Sequence, residues 1–120
     1  MSSKFKILFF RTKNGREPVK EFLESLKDSK NPNERALFDC INCFLVLLSH
    51  AGSMLGLPFV KKLKGDIWEL RPKKERILYC CVNDDEIVLL HHFTKKTQKT
   101  PSNDLEIALK RSKLVKKRNH

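Results

Sequence analysis

The chain has 120 residues, 40% apolar and 32% charged, which is enough hydrophobic material to pack one core and too much for a disordered chain. Its formal charge is +11, from 25 Lys and Arg against 14 Asp and Glu. That balance favours a polyanionic partner (nucleic acid, an anionic membrane surface or an acidic protein) and carries no information about the fold.

Taken in chain order, Lys4–Arg11 is rich in Phe, Ile and Leu and reads as a first strand, ended by the turn signal Asn14–Gly15. Pro18 suits the first turn of a helix, along which Val19, Phe22, Leu23 and Leu26 recur at helical spacing. Asn31–Pro32 breaks the chain. Asn33 then reads as an N-cap, with Glu34 in the first turn of a second helix that runs to about His50. Its apolar residues Leu37, Phe38, Cys40, Ile41, Phe44, Leu45, Leu47 and Leu48 leave few polar positions, so a helix mostly buried against the sheet or a partner is expected. Residues 52–60, punctuated by Gly52, Gly56 and Pro58, read as a loop. Strands are expected over Asp66–Arg71, Arg76–Val82 and Glu86–Phe93, followed by a helix over Asp104–Lys116 with a basic outer face. The run Lys116–Arg118 and His120 read as a frayed tail. The order β-α-α-β-β-β-α gives one α+β domain over residues 1–120. Its small, mainly antiparallel sheet has two N-terminal helices packed on one face and a basic C-terminal helix.

The positive charge is unevenly placed. Residues 94–120 carry nine Lys/Arg and two acids, residues 60–76 carry seven and three, and residues 77–93 carry three acids and no Lys or Arg. Cations therefore gather at strand ends and on the last helix. The longest apolar run, within Ala36–Leu48, is broken by Asp39 and Asn42 and falls short of the ~20 residues of a membrane span. No secretory signal is legible at the N-terminus, so a cytoplasmic protein with no membrane partner is expected. The cysteines Cys40, Cys43, Cys80 and Cys81 are then reduced thiols packed as small hydrophobes. Cys40 and Cys43 stand three apart on a helix but lack a second ligand pair, and no metal or other cofactor is expected.

Short loops give a register. A four-residue turn at Pro72–Glu75 sets Arg71 opposite Arg76, and a two-residue turn at Asp84–Asp85 sets Val82 opposite Ile87 and Leu78 opposite His91. One face then carries Glu69, Arg71, Arg76, Leu78, His91 and Phe93, and is expected to look outward. The other, more apolar, carries Trp68, Leu70, Ile77, Tyr79, Val88, Leu90 and His92 toward the helices. Trp68 reads as packing, and Tyr79 as core with its hydroxyl at an edge.

Two arginines, a carboxylate and a histidine on one face suit chemistry at an RNA phosphate. Attack of a 2′-OH on its own phosphate needs one proton removed, another supplied to the leaving 5′-oxygen, and charge stabilised on the phosphorane. Histidine does either proton job near neutral pH, and Arg and Lys neutralise phosphate oxygens. No metal is required for this chemistry.

The strings Lys62-Leu63-Lys64-Gly65-Asp66-Ile67-Trp68-Glu69-Leu70-Arg71, Arg76-Ile77-Leu78-Tyr79 and Ile87 through Pro101, followed by a basic helix, resemble the RelE/HigB-like toxins of type II toxin–antitoxin modules, HigB-type branch. The resemblance extends over essentially the whole chain. It implies a RelE/ParE-like fold and a ribosome-dependent endoribonuclease, an mRNA interferase that cleaves translated mRNA. It also implies a cognate antitoxin, helix-turn-helix and HigA-like, as partner. In the family, cations matching Arg76 and Lys95 or Lys96 bear on the phosphate, and the register adds Arg71 and His91 to this catalytic set. Lys61, Lys62, Lys64, Lys73, Lys74 and Lys99 are expected along the RNA backbone. Lys96 stands where RelE itself has Arg, which leaves the acid and base roles open. Two other functions fit the same residues: a ParE-like inhibitor of DNA gyrase, and a basic RNA-binding module without catalysis.

Overall fold

The strands that follow residue 60 organise the molecule. The computed structural model describes residues 4–118, so His120 lies outside the described residues. Five strands, β1 (Lys6–Phe9), β2 (Val60–Lys62), β3 (Trp68–Leu70), β4 (Glu75–Val82) and β5 (Glu86–Thr94), form one sheet in the order β1-β5-β4-β3-β2. All neighbours are antiparallel except β1 and β5, whose parallel register pairs Lys6 with Glu86 and Phe9 with Leu89. Three helices, α1 (Pro18–Lys27), α2 (Pro32–Ala51) and α3 (Ser102–Arg118), complete an α+β fold, with a short 3-10 turn over Gly52–Leu55.

The expected elements are present with specific differences. β2 begins at Val60, the last residue of the segment read as a loop, and takes in Lys61 and Lys62, for which no element was expected, because three residues give too short an alternation to register as a strand. Asn31, not Asn33, caps α2: its Oδ1 accepts from the Asn33 amide at 2.8 Å, and Pro32 takes the first helical position, where no amide is needed. Lys116–Arg118 continue α3 instead of fraying. Gly52 ends α2 at φ +59, and a Cβ there would stand 2.6 Å from the Phe5 ring, so only glycine fits this stop.

The sheet is covered on both faces. Against α1 and α2 lie Leu70, Ile77, Tyr79, Ile87 and Leu89, meeting Val19, Leu23, Leu26, Ile41 and Leu48. Against α3 lie Leu78, Cys80, Val82, Val88 and Leu90 with Phe10, Ile67 and Ala108. The face expected to look outward is therefore roofed by α3. Trp68 packs beside the first core as expected, and Tyr79 is fully buried with its hydroxyl 3.1 Å from Ser53 Oγ; burial pushes its phenol up to about 12.

The β4–β5 register differs from the two-residue-turn expectation. Val82 pairs with Glu86 across a three-residue loop, and a bulge between Leu78 and Tyr79 restores the expected pairing of Leu78 with His91. The bulge turns Leu90 and His91 to the same side, so Val88 and Leu90 face α3 and not the α1/α2 core.

α2 is less buried than its composition suggests. Ile41, Leu48 and Ser49 are enclosed, but Val46 is 49% and Leu47 41% exposed. With the 3-10 turn it forms a helical stretch of 24 residues, Pro32–Leu55, in which an 18-residue window reaches a mean hydropathy of 1.4, a length and composition that a core helix of a globular domain shares with a membrane span. The cysteines are free, yet only Cys80 is buried, its thiol pushed up to about 11 by burial; Cys43 and Cys81 are exposed and not packed.

α3 is fastened along its length. Near its start Asp104 Oδ1 meets His91 Nε2 at 2.7 Å, and mid-helix Arg111 donates to the Leu90 carbonyl at 2.8 Å. Toward its end Ser112 and Lys116 converge on Asp66 of the β2–β3 turn. Burial would raise the Asp66 carboxyl, but Lys116 and Ser112 outweigh it and hold it below the usual range. A carboxyl lowered on folding stabilises the fold fully above its unfolded value, about 4, and loses that contribution as pH falls toward its folded value. Thermal unfolding of wild type and Asp66→Asn is expected to show wild type ahead at pH 7, with the gap closing below about pH 4.

Candidate functional site

Strand ends and turns on the α3 side enclose a cleft of about 170 Å³, lined by Lys61, Lys64, Glu69, Arg71, Arg76, Lys95, Lys99, Thr97, Gln98 and Thr100, with Leu63, Phe93 and Leu105 as apolar wall. Alternation along β3 turns Glu69 toward α3 while its neighbours Trp68 and Leu70 pack on the other face. The ladder ends with Leu70 opposite Ile77, and Arg71 and Arg76, the next residues outward on the two strands, both stand within ion-pair distance of Glu69.

Glu69 is only 4% exposed. Its Oε1 stands 3.6 Å from Arg71 Nε and 3.9 Å from Arg76 Nε, and its Oε2 accepts from Thr100 Oγ1 at 2.9 Å. Arg76 is buried too, and one of its terminal nitrogens donates to the Lys73 and Glu75 carbonyls, each at 2.8 Å. Burial lowers its guanidinium, and Glu69 works against that shift; an arginine nonetheless stays charged. Arg71 Nε is buried and makes no hydrogen bond among the described residues, because 3.6 Å from a carboxylate oxygen is an ion pair without one.

The segment after β5 closes the rim. The Lys95 amide donates to the Lys74 carbonyl at 2.6 Å, Thr97 Oγ1 donates to the Lys99 carbonyl at 2.9 Å, and Thr100 ties the segment to Glu69. A second hollow adjoins, lined by Lys73, Lys74, Arg76, Lys95, Lys96, Thr97 and Gln98. Arg76 and Lys95 belong to both, so the cations form one continuous tract.

Of the residues singled out from sequence, Arg71, Arg76, Lys61, Lys64, Lys95 and Lys99 meet in the cleft, and Lys73, Lys74 and Lys96 line the adjoining hollow. Two do not join them. His91 is held by Asp104 beneath α3 and does not line the cleft. Lys62 turns to the opposite face, with Nζ 5.2 Å from the Trp68 ring centre. His92 also lies apart, stacked on Phe22 at 4.1 Å between ring centres; burial lowers its imidazole, with the nearby His91 and Arg111 adding to the shift. No group of three or more His, Cys, Asp or Glu among the described residues is arranged to hold a metal ion.

Glu69 was expected on the face of the two arginines but not among the catalytic or RNA-binding residues, and Thr100 was expected in neither role. The sign was present: Glu69 shares its face with both arginines, and a lone acid among cations at a strand centre marks a buried counter-charge.

Residues 43–113 match the family described as Phage derived protein Gp49-like (DUF891), a span that contains every residue lining the cleft. No curated protein matches the chain.

A cationic tract of this kind suits the phosphates of a single-stranded nucleic acid, and binding through such contacts would weaken with salt. With a 2′-O-methyl RNA oligonucleotide, Arg71→Ala is expected to weaken binding and to reduce the salt slope by about 0.7, the value of one phosphate neutralised on a single strand. Lys62→Ala is expected to leave both unchanged. Fluorescence anisotropy across a salt series checks this.

Proposed function

The chain belongs to the Gp49-like family, a family of toxin–antitoxin toxins, and from that premise we propose that it is an endoribonuclease of the HigB-type branch that cleaves translated mRNA on the ribosome. The observation that carries the reading is the convergence of Arg71, Arg76, Lys61, Lys64, Lys95 and Lys99 on one cleft. In this account the scissile phosphate enters between the two guanidinia. Arg71 Nε gains an oxygen acceptor, Arg76 is pre-set by its turn carbonyls, and the charge that develops on the phosphorane meets donors that need no reorganisation. Lys95 shares both hollows with Arg76, and Lys96, Lys73 and Lys74 guide the chain through the adjoining one. His91 acts through Asp104 by seating α3 over the sheet, not on the phosphate.

The partner that silences such a cleft must present acidic or amphipathic surface to a basic face, and we assign that role to a helix-turn-helix antitoxin of HigA type. The site of action is the cytoplasm, where ribosomes translate.

Induced expression of the wild type in cells is expected to arrest growth and produce new 5′ ends within translated frames. Arg76→Ala is expected to abolish both, in line with a loss of about 10²–10³ in rate when one fixed charge-stabilising donor is removed. Co-expression of the antitoxin restores growth. Arrest with intact mRNA would overturn the nuclease reading in favour of a target such as gyrase.

A further inference from the structure

Cleavage by a 2′-OH needs a group that takes its proton, and the cleft itself narrows the choice. An arginine guanidinium has no lone pair to offer, hydroxyls and amides are not bases at neutral pH, and a lysine acts as a base only where burial strips its proton, whereas Lys61, Lys64 and Lys99 are exposed and Lys95 is half-exposed at the rim. That removes Lys61, Lys64, Arg71, Arg76, Lys95 and Lys99, and with them Thr97, Thr100 and Gln98. His91 is engaged by Asp104 and does not line the cleft. The residue left is Glu69. Resting on the nuclease reading, we propose that Glu69 is the general base of the reaction.

The geometry divides its two oxygens between two tasks. Oε2 is spent on Thr100, which fixes the orientation of the carboxylate. Oε1 faces Arg71 Nε and Arg76 Nε at 3.6 and 3.9 Å, close enough to hold its charge and too far to form hydrogen bonds. Its lone pairs therefore remain available. When the substrate phosphate draws the guanidinia onto its own oxygens, Oε1 is released beside the sugar that carries that phosphate. Oε1 then takes the 2′ proton as the 2′-oxygen bonds to phosphorus. The bond from phosphorus to the 5′-oxygen breaks, and its electron pair leaves with that oxygen. The oxygen takes a proton from an ammonium on the rim, a role that falls to Lys95 because it flanks Arg76 in both hollows. The products are a 2′,3′-cyclic phosphate and a 5′-hydroxyl, and both protein groups return to their starting protonation by exchange with water.

A buried carboxylate between two arginines also serves as a counter-charge, so the test separates chemistry from support. Single-turnover cleavage of mRNA on programmed ribosomes is compared for wild type, Glu69→Gln and Glu69→Asp, each checked by thermal unfolding. Binding is measured with the same mRNA carrying a 2′-deoxy nucleotide at the cut. Glu69→Asp keeps the charge between the arginines but withdraws the oxygen by one methylene, so it tests the role even where Glu69→Gln fails to fold. Both folded variants are expected to cleave about 10²–10⁴-fold more slowly while binding the deoxy substrate within a few-fold of wild type. Wild-type rates in Glu69→Asp, or a loss of rate matched by an equal loss of binding, would overturn the assignment and leave the nuclease reading standing. Absence of any cut by the wild type would instead remove the nuclease reading, and the base with it.

Discussion

Six cations cannot be gathered around one small cleft without an opposing charge, and Glu69 supplies it. Its place at the centre of β3 is what makes the arrangement hold. A buried charge is costly unless paired and hydrogen-bonded, and Glu69 is both, through the two guanidinia and Thr100. The dependence runs the other way as well. Arg76 is buried against the turn that follows β3, where Lys73 takes the left-handed conformation at φ 54 and offers its carbonyl to the guanidinium. The turn, the arginine pair and the 95–101 segment thus share one carboxylate, and loosening any of them exposes the others to an unpaired charge.

The rest of the fold serves this centre by fixing the two faces of the sheet. The α1/α2 side is the larger apolar core, and it anchors β3 and β4 through Leu70, Ile77 and Tyr79. The α3 side is smaller and is held as much by polar contacts as by packing, from Asp104 near the helix start to Asp66 opposite its end. α3 thereby walls the cleft with Leu105 while its basic outer surface stays free of it. The bulge in β5 is part of the same device. By turning His91 to the side of Leu90, it places an imidazole where Asp104 can meet it.

Much of this was legible in the sequence, for identifiable reasons. Pro72–Glu75 is a true four-residue turn, with the Glu75 amide donating to the Pro72 carbonyl at 3.0 Å, so the grouping of Glu69, Arg71 and Arg76 followed from alternation alone. Leu78 opposite His91 came out right because two offsets cancel: the β4–β5 loop is one residue longer than expected, and the bulge restores the count. Between the loop and the bulge nothing cancels, and there Val88 and Leu90 were assigned to the wrong face. β2 escaped notice because its three residues are defined by pairing with β3 and not by a pattern of their own. The burial of α2 was overestimated because composition counts apolar residues without regard to which side of the helix the sheet covers. His91 was drawn toward the site by its register, and only the three-dimensional position of Asp104, 13 residues on, shows where its ring is committed.

The account stands on the claim that an RNA phosphate sits between Arg71 and Arg76. The most direct measurement is the structure of the protein with a short single-stranded RNA carrying a 2′-deoxy nucleotide at the position that precedes the cut. The account predicts one phosphate within hydrogen-bond distance of both guanidinia, about 2.7–2.9 Å, with the 2′ carbon of the preceding sugar facing Glu69. An RNA that tracks over the basic face of α3 and makes no contact with either arginine would contradict it.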